Sequence, residues 1–348
     1  MIKNFYDIII EVIIMNVNEI EVLYDGIFLE RVKLKKEYDI HEIIRLLKDN
    51  DVINNNASIN LLNLQSNMLF QINFKEKWVL TKALNYFNIK LNDLSLKIIR
   101  FVNVLYSLYD NNYQVIDDHI IKNKQVLLVN YTESIAYRNY IISKQFLINI
   151  LNQKDLLLCY YSIRDIIENV KVYLYLLRGA IKEEITQSKN GIIIKHITNN
   201  EVKKEIHSKL ENENSSWNLN IKDLVKRNPT LKPWSKELIE INKINEKCNN
   251  YIHKNGFTKI SPRYINENND NELLENWFKI IKFYFTITIL YDGKSMENSE
   301  YMDYLENGEE PPEDCQNWMA PIFQEFVDLE YNAAEKKEII NQSDINIK

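Results

Sequence analysis

Residues 154–187 read KDLLLCYYSIRDIIENVKVYLYLLRGAIKEEITQ. Within them Leu156, Cys159, Ile163, Ile166, Ile167, Val170, Leu174 and Leu177 recur at the spacing of one helix face. The segment is therefore expected to form one long helix whose apolar stripe faces the core of a bundle. Composition points the same way: 6 Gly and 6 Pro in 348 residues leave few turns and few helix breakers. The expected class is mainly α, a helical bundle with a small N-terminal region containing a β-hairpin.

Outward from that helix, residues 133–152 are expected to form another, followed beyond 187 by the strand-like GIIIKHI of 191–197, a charged helix and the Asn/Ser/Pro-rich stretch 212–233. Helices are expected over 234–254 and 271–291, separated by the polar NENND, and a last helix over 316–337 after the acidic, Pro-containing 309–314. Towards the N-terminus, residues 19–36 alternate apolar and polar around Asp25-Gly26, the strongest hairpin signal in the chain. A short helix is expected over 40–49, an Asn-rich loop over 50–60, and helices over 61–88 and 91–109. Residues 113–130 hold two β-leaning runs around Lys122-Asn123-Lys124 that predict a hairpin or wing. The expected division is a small N-terminal region (1–55), a helical region with a hairpin (56–132), a helical bundle (133–292) and an acidic helical segment (293–348).

The net charge of −6 argues against nonspecific nucleic-acid binding over the whole surface. Charge is nevertheless polarised: from Ser216 to Arg263 ten Lys/Arg face four Asp/Glu, an excess of +6. From Met296 to Glu330 there are eleven acidic residues and no Lys or Arg. Two solvated faces of opposite sign that pair within the chain are the simpler reading. The sharper one is a basic track for a polyanion with an acidic segment able to cover it.

Cys159, Cys248 and Cys315 lie far apart and form no Cys-x-x-Cys pair, which suits a reducing compartment and offers neither a zinc knuckle nor a disulfide framework. Met1–Met15 is a poor signal peptide, since Asp7 and Glu11 flank its isoleucines. The apolar run 277–291, WFKIIKFYFTITILY, is short for a membrane span and carries Lys279 and Lys282, so it reads as a buried helix. A cytoplasmic protein is expected. The Ile, Asn and Lys richness is that of an AT-rich bacterial or viral genome.

On the 154–187 helix Arg164 and Glu168 stand four residues apart beside the apolar stripe. An intrahelical ion pair is the simpler reading; the functional one is a cation and carboxylate held for a phosphate or to orient a histidine. The candidate histidine is His253, at the end of helix 234–254, on the polar flank with Asn242, Glu246 and Asn249. As a residue before Asn255-Gly256 it also suits a helix C-terminus. Asp117-Asp118-His119 reads as turn or surface, and His41, His196 and His207 stand alone. Trp217, Trp234, Trp277 and Trp318 read as packing residues. The chain has no Gly-rich phosphate loop, Gly-x-Ser-x-Gly elbow or His-Glu-x-x-His, which excludes P-loop nucleotide hydrolysis and leaves a hydrolase triad or zinc protease without support.

The run SIRDIIENVKVYLYLL, with Arg-x-x-x-Glu on a long apolar helix, followed about ninety residues later by NNYIHKNG, resembles the layout of HEPN-like helical proteins over 133–292. That resemblance implies an RNA-binding or metal-independent RNA-cleaving protein in a bacterial toxin or phage-defence setting, with His253, Arg164 and Glu168 as the candidate catalytic residues. Lys247, Asn249 and Lys254 are the candidate substrate-binding residues. It implies no cofactor and no metal, and as partners RNA, a protein partner or antidote, and a second copy of the chain. The sequence departs from the ribonuclease pattern of Arg followed four to six residues later by His: before His253 the basic residue at that spacing is Lys247, on another face of the helix. A noncatalytic helical interaction protein is the alternative.

Overall fold

The computed structural model describes residues 16–49, 57–64, 67–119, 126–177, 182–188, 191–197, 231–253, 267–312, 315 and 318–342. They fall into two compact units, Met1–Ile99 with Leu151–Lys154, and Arg100–Ile150 with Asp155–Lys348. The class is mainly α with a minor β region.

In the first unit the expected hairpin forms. Strand β1 (Asn16–Tyr24) turns through Asp25 (φ 49°) and Gly26 (φ 81°) into β2 (Ile27–Asp39). Two successive positive φ angles are what a two-residue hairpin matched to strand twist requires. Helix α1 (Ile40–Asp49) follows, then β3 (Ala57–Leu64), β4 (Asn67–Phe74) and α2 (Lys77–Phe87). The sheet order is β2-β1-β4-β3, with β1 and β4 parallel at its centre and an antiparallel hairpin on either side. Central placement buries most of β1, including the Glu21 carboxylate, which accepts from Arg31 Nη2 (2.6 Å) and Gln71 Nε2 (3.0 Å). Helix α2 buries Val79, Leu80, Ala83 and Phe87 and ends at Asn88, left-handed at φ 50°.

The expected helix over 61–88 is thus corrected: its first half is the β3–β4 hairpin, because Ile59, Leu61, Leu69 and Ile72 serve a strand register as well as a helical one. The expected loop over 50–60 gives way to strand from Ala57, while residues 50–56 lie outside the described set.

In the second unit α3 (Asp93–His119, whose first turns belong to the first unit) and α4 (Val126–Leu147) are helical through most of the 113–130 hairpin that was expected. The β-leaning residues there lie on long helices, where tertiary packing overrides a weak local preference. Asp117, Asp118 and His119 form the last turn of α3. Helix α4 passes into a π-helical turn (Ile148–Gln153), and Lys154 at φ 57° turns the chain into α5 (Leu156–Leu177). The expected helix to residue 187 is shorter, because Lys182–Ser188 is strand β5, paired antiparallel with β6 (Gly191–Ile197). Helix α6 (Ser235–Ile252) and α7 (Glu267–Tyr291) follow, and the ENND expected in a loop supplies the first turn of α7. A 3-10 turn (Gly293–Met296) precedes α8 (Ser299–Glu306). The single last helix expected over 316–337 is instead two, α9 (Pro321–Glu330) and α10 (Ala333–Gln342), broken where Tyr331 turns extended.

The core of this unit is aromatic. Trp277 of α7 is fully buried, stacks on Phe146 of α4 (5.9 Å between centroids), packs against Phe101 of α3 (5.6 Å), and donates from Nε1 to Ser143 Oγ (3.1 Å). Phe101 in turn meets Phe326 of α9 at 4.8 Å. Removing that indole leaves a large void among α3, α4 and α7, so Trp277→Ala is expected to lose about 3–5 kcal/mol in denaturant unfolding. Trp277→Phe is expected to lose less than half as much.

Candidate functional site

Helix α5 packs on α4, α6 and α7. Its outer stripe is Leu158, Tyr161 and Asp165, and Arg164 and Glu168 stand half-buried beside it, as their 3.6-period position requires. The two do not pair with each other. Glu168 Oε1 accepts from Lys171 Nζ at 2.7 Å, and Lys171 is 7 % exposed. A buried ammonium one turn away has more to gain from the carboxylate than a half-exposed guanidinium, which water still serves. Arg164 is left without a carboxylate within ion-pair distance among the described residues.

The face of α6 turned inward brings Cys248 into the field of Arg164. Burial pushes the Cys248 thiol up to about 12, with Lys247 and Arg164 pulling the other way. Tyr160 of α5 stacks on Tyr251 of α6, centroids 4.2 Å apart and planes within 13°. Burial, then Tyr251, raises the Tyr160 hydroxyl far above the usual phenol range. Asp165, whose carboxyl burial also raises, feels Arg164 and Arg138 opposing that shift.

The remaining candidates scatter. Lys247 pairs with Glu272 of α7 on the outer flank of α6. Asn249 keeps a buried side-chain oxygen that meets no donor, as does Asn245 one turn earlier. His253 is exposed and acts through its backbone, its N–H donating to Asn249 O (3.0 Å) as the helix cap. No hydrogen bond joins its imidazole to Arg164 or Glu168. Lys254 and Asn255-Gly256 lie outside the described residues, as do His207, Trp217, most of the 212–233 stretch and most of the basic segment. Trp234 and Trp277 are buried and Trp318 half-buried.

The acidic segment finds its described partners elsewhere than in the basic one. Glu330 takes Arg100 of α3, and Asp328 takes Lys336 of α10 at 2.6 Å. Among the described residues no group of three His, Cys, Asp or Glu could hold a metal ion, and no helix is long and apolar enough to cross a membrane. Lys171 escaped the sequence reading because it lies inside the apolar run VKVYLYLL; its i+3 spacing from Glu168 was the signal. Comparison with family models, with curated proteins and with solved structures returned no match for this chain.

The unequal roles of the neighbouring cations are measurable. Glu168→Gln strands a buried ammonium and is expected to cost about 1–3 kcal/mol in a denaturant titration. Arg164→Gln is expected to stay within about 0.5 kcal/mol. The buried acids Cys248, Tyr160, Tyr173, Tyr284 and Tyr331 all have raised folded values. At neutral pH both states keep these protons and stability is flat. As pH rises past about 8.5 the unfolded thiol, and near 10 the phenols, ionise while the folded ones do not. Tm is therefore expected to fall steadily above about pH 9, with Cys248→Ala flattening the first part of that fall.

Proposed function

We propose that the helical unit is a noncatalytic, HEPN-like RNA-binding module in a bacterial toxin or phage-defence setting, working in the cytoplasm. Arg164 carries the reading. A half-buried guanidinium on the α5–α6 seam, whose nearby carboxylate is taken by Lys171, is suited to a phosphate oxygen. Burial of the three free cysteines is consistent with a reducing cytoplasm. Cleavage gains no such support. His253 is exposed at a helix end, and Lys247, the basic residue at the ribonuclease spacing, is engaged by Glu272.

A second reading, a noncatalytic protein-interaction component, is favoured by a tyrosine patch on α3 and α4. Tyr106 meets Tyr140 at 5.5 Å and Tyr109 meets Tyr137 at 5.0 Å, and Tyr106 and Tyr137 are both nearly half exposed. Tyrosines of this kind form the anchors of many protein interfaces.

Filter binding with single-stranded RNA separates the readings. Arg164→Ala is expected to weaken binding about tenfold, the loss of about 1.4 kcal/mol from one charge-assisted contact. His253→Ala is expected to leave affinity unchanged and the RNA intact. RNA shortening that disappears in His253→Ala would sink the noncatalytic claim, and an Arg164→Ala protein that binds as wild type would sink the assigned site. Loss of a co-purifying protein in a Tyr106→Ser, Tyr137→Ser variant, with RNA binding absent throughout, would establish the second reading instead.

A further inference from the structure

Helix α2 of the first unit presents a second surface besides its buried face. Its inner face is complete with Val79, Leu80, Ala83 and Phe87. On the opposite stripe Trp78, Lys82, Asn85 and Tyr86 recur at helical spacing, with Lys75 just before the helix, and all five are exposed. Trp78 is 49 % exposed and Tyr86 45 %. Leaving these two rings about half in water forgoes part of the burial that large aromatics normally gain.

The charge on this stripe is one-sided. From Lys75 to Lys90 there are four lysines and one acidic residue, Glu76, and that carboxylate accepts from the Trp78 indole N–H. Lys82 Nζ lies 4.7 Å from the centroid of the Trp78 ring. The same unit repeats the arrangement on β2, where Lys36 Nζ lies 4.3 Å from the centroid of the Tyr38 ring. Tyr38 packs edge-on against Phe87 at 5.8 Å, and Phe87 against Tyr86 at 5.2 Å. A lysine over a ring thus stands at the end of β2, where Lys36 also pairs with Glu42 at 3.4 Å, and again on α2.

We propose that this stripe is a binding platform for single-stranded nucleic acid, with Trp78 and Tyr86 stacking on bases and Lys75, Lys82 and Lys90 holding phosphates. The composition selects that class of partner. Protein interfaces are enriched in Tyr and Trp but depleted in Lys, whereas aromatic rings interleaved with lysines suit a chain of flat bases joined by anions. The spacing selects a single strand. Eight helical residues separate Trp78 from Tyr86 by about 12 Å along the axis, against a rise of about 3.4 Å between stacked neighbours on one strand. Bases splayed from an extended strand reach both rings, while a duplex keeps its base faces inside the stack. The Asn85 amide between the rings adds hydrogen bonding without demanding one base. The Asn88 cap, whose left-handed turn ends the helix with backbone N–H groups returned to Asn85 and Leu84, sets the C-terminal end of the platform.

Fluorescence anisotropy on the full chain tests this, with a labelled oligouridylate of about 12 nucleotides as the probe. Trp78→Ala and Tyr86→Ala are each expected to weaken binding about five- to hundredfold, and Trp78→Phe to restore most of the loss. Lys75→Gln with Lys90→Gln is expected to lower the slope of log affinity against log salt by about 1.4, about 0.7 for each phosphate contact. Because these side chains are exposed, thermal melts of the variants are expected to match wild type, which excludes misfolding as the cause. Unchanged affinity in a Trp78→Ala, Tyr86→Ala double variant overturns the proposal, as does equal or tighter binding of a duplex. So does a double variant that changes only the sedimentation of the chain, which would mark the stripe as a contact between copies. The outcome is separable from that of the Arg164 site: loss in Arg164→Ala with none in Trp78→Ala rejects the platform and keeps the seam, the reverse result keeps only the platform, and absence of oligonucleotide binding in the wild-type chain rejects both.

Discussion

The second unit depends on one helix that has no face to spare. From Trp277 to Ile289 α7 buries Trp277, Phe278, Ile280, Ile281, Phe283, Tyr284, Phe285, Thr286, Ile287, Thr288 and Ile289. A helix apolar all round is stable in water only if other helices enclose it. Its hydroxyls are satisfied locally, Thr286 and Thr288 donating to the carbonyls of Lys282 and Tyr284 one turn back. Its two lysines escape along their stems: Lys279 reaches Glu240 of α6 at 2.6 Å, and Lys282 reaches Glu335 of α10 at 2.8 Å while lying 4.6 Å from the Tyr331 ring centroid. Those two ion pairs record which helices lie on either side. Enclosing α7 also fixes α5, because Tyr173 meets Tyr284 at 5.2 Å and both hydroxyls are buried beside Asp292.

The features that were legible in sequence are those where local chemistry and burial agree. Asp25-Gly26 between alternating strands has few other conformations to adopt, and the eight-residue stripe of α5 has one face to bury. The misread elements are those where two periods fit the same residues. ASINLLNL and NMLFQINF carry apolar side chains at spacings that serve a helix or a strand, and the partner that decides between them is β1, some fifty residues earlier. Pairing at that distance leaves no local trace. Conversely, VIDDH and VLLVN carry β-branched residues yet extend α3 and α4. At the C-terminus the break between α9 and α10 falls at Tyr331, whose ring and hydroxyl are held against Lys282 and Thr286, a tertiary anchor without a glycine or proline to announce it.

Charge followed the same rule. Among the described residues of the acidic segment, each ion pair forms with the nearest cation that packing delivers. Arg100 stands against α9 and takes Glu330, with only 9 % of that carboxylate side chain exposed, and Lys336 is one helix turn from the α9–α10 break and takes Asp328. Sequence segments with large net charge predict fields, and fields are local once salt and neighbouring ions act.

The same logic separates the lysines and arginines that structure needs from those it leaves over. Lys171, 7 % exposed, cannot be without Glu168; the Lys282 ammonium lies between Glu335 and an aromatic ring at the edge of the core. These cations are used up by folding, and their removal should appear as lost stability. Arg164 is displaced from its expected carboxylate by that very competition, and Lys82 rests on the face of an exposed indole without an ion pair among the described residues. A cation that folding does not consume, set beside rings or acceptors that folding also leaves unsatisfied, is where binding free energy is available. In this chain that condition is met by side chains on α5 and α6 in one unit and on α2 in the other, and among the described residues no group of three His, Cys, Asp or Glu that could hold a metal ion takes part. The groups left over are cations beside rings and acceptors, which is why the proposals built on each unit are proposals of binding and not of turnover.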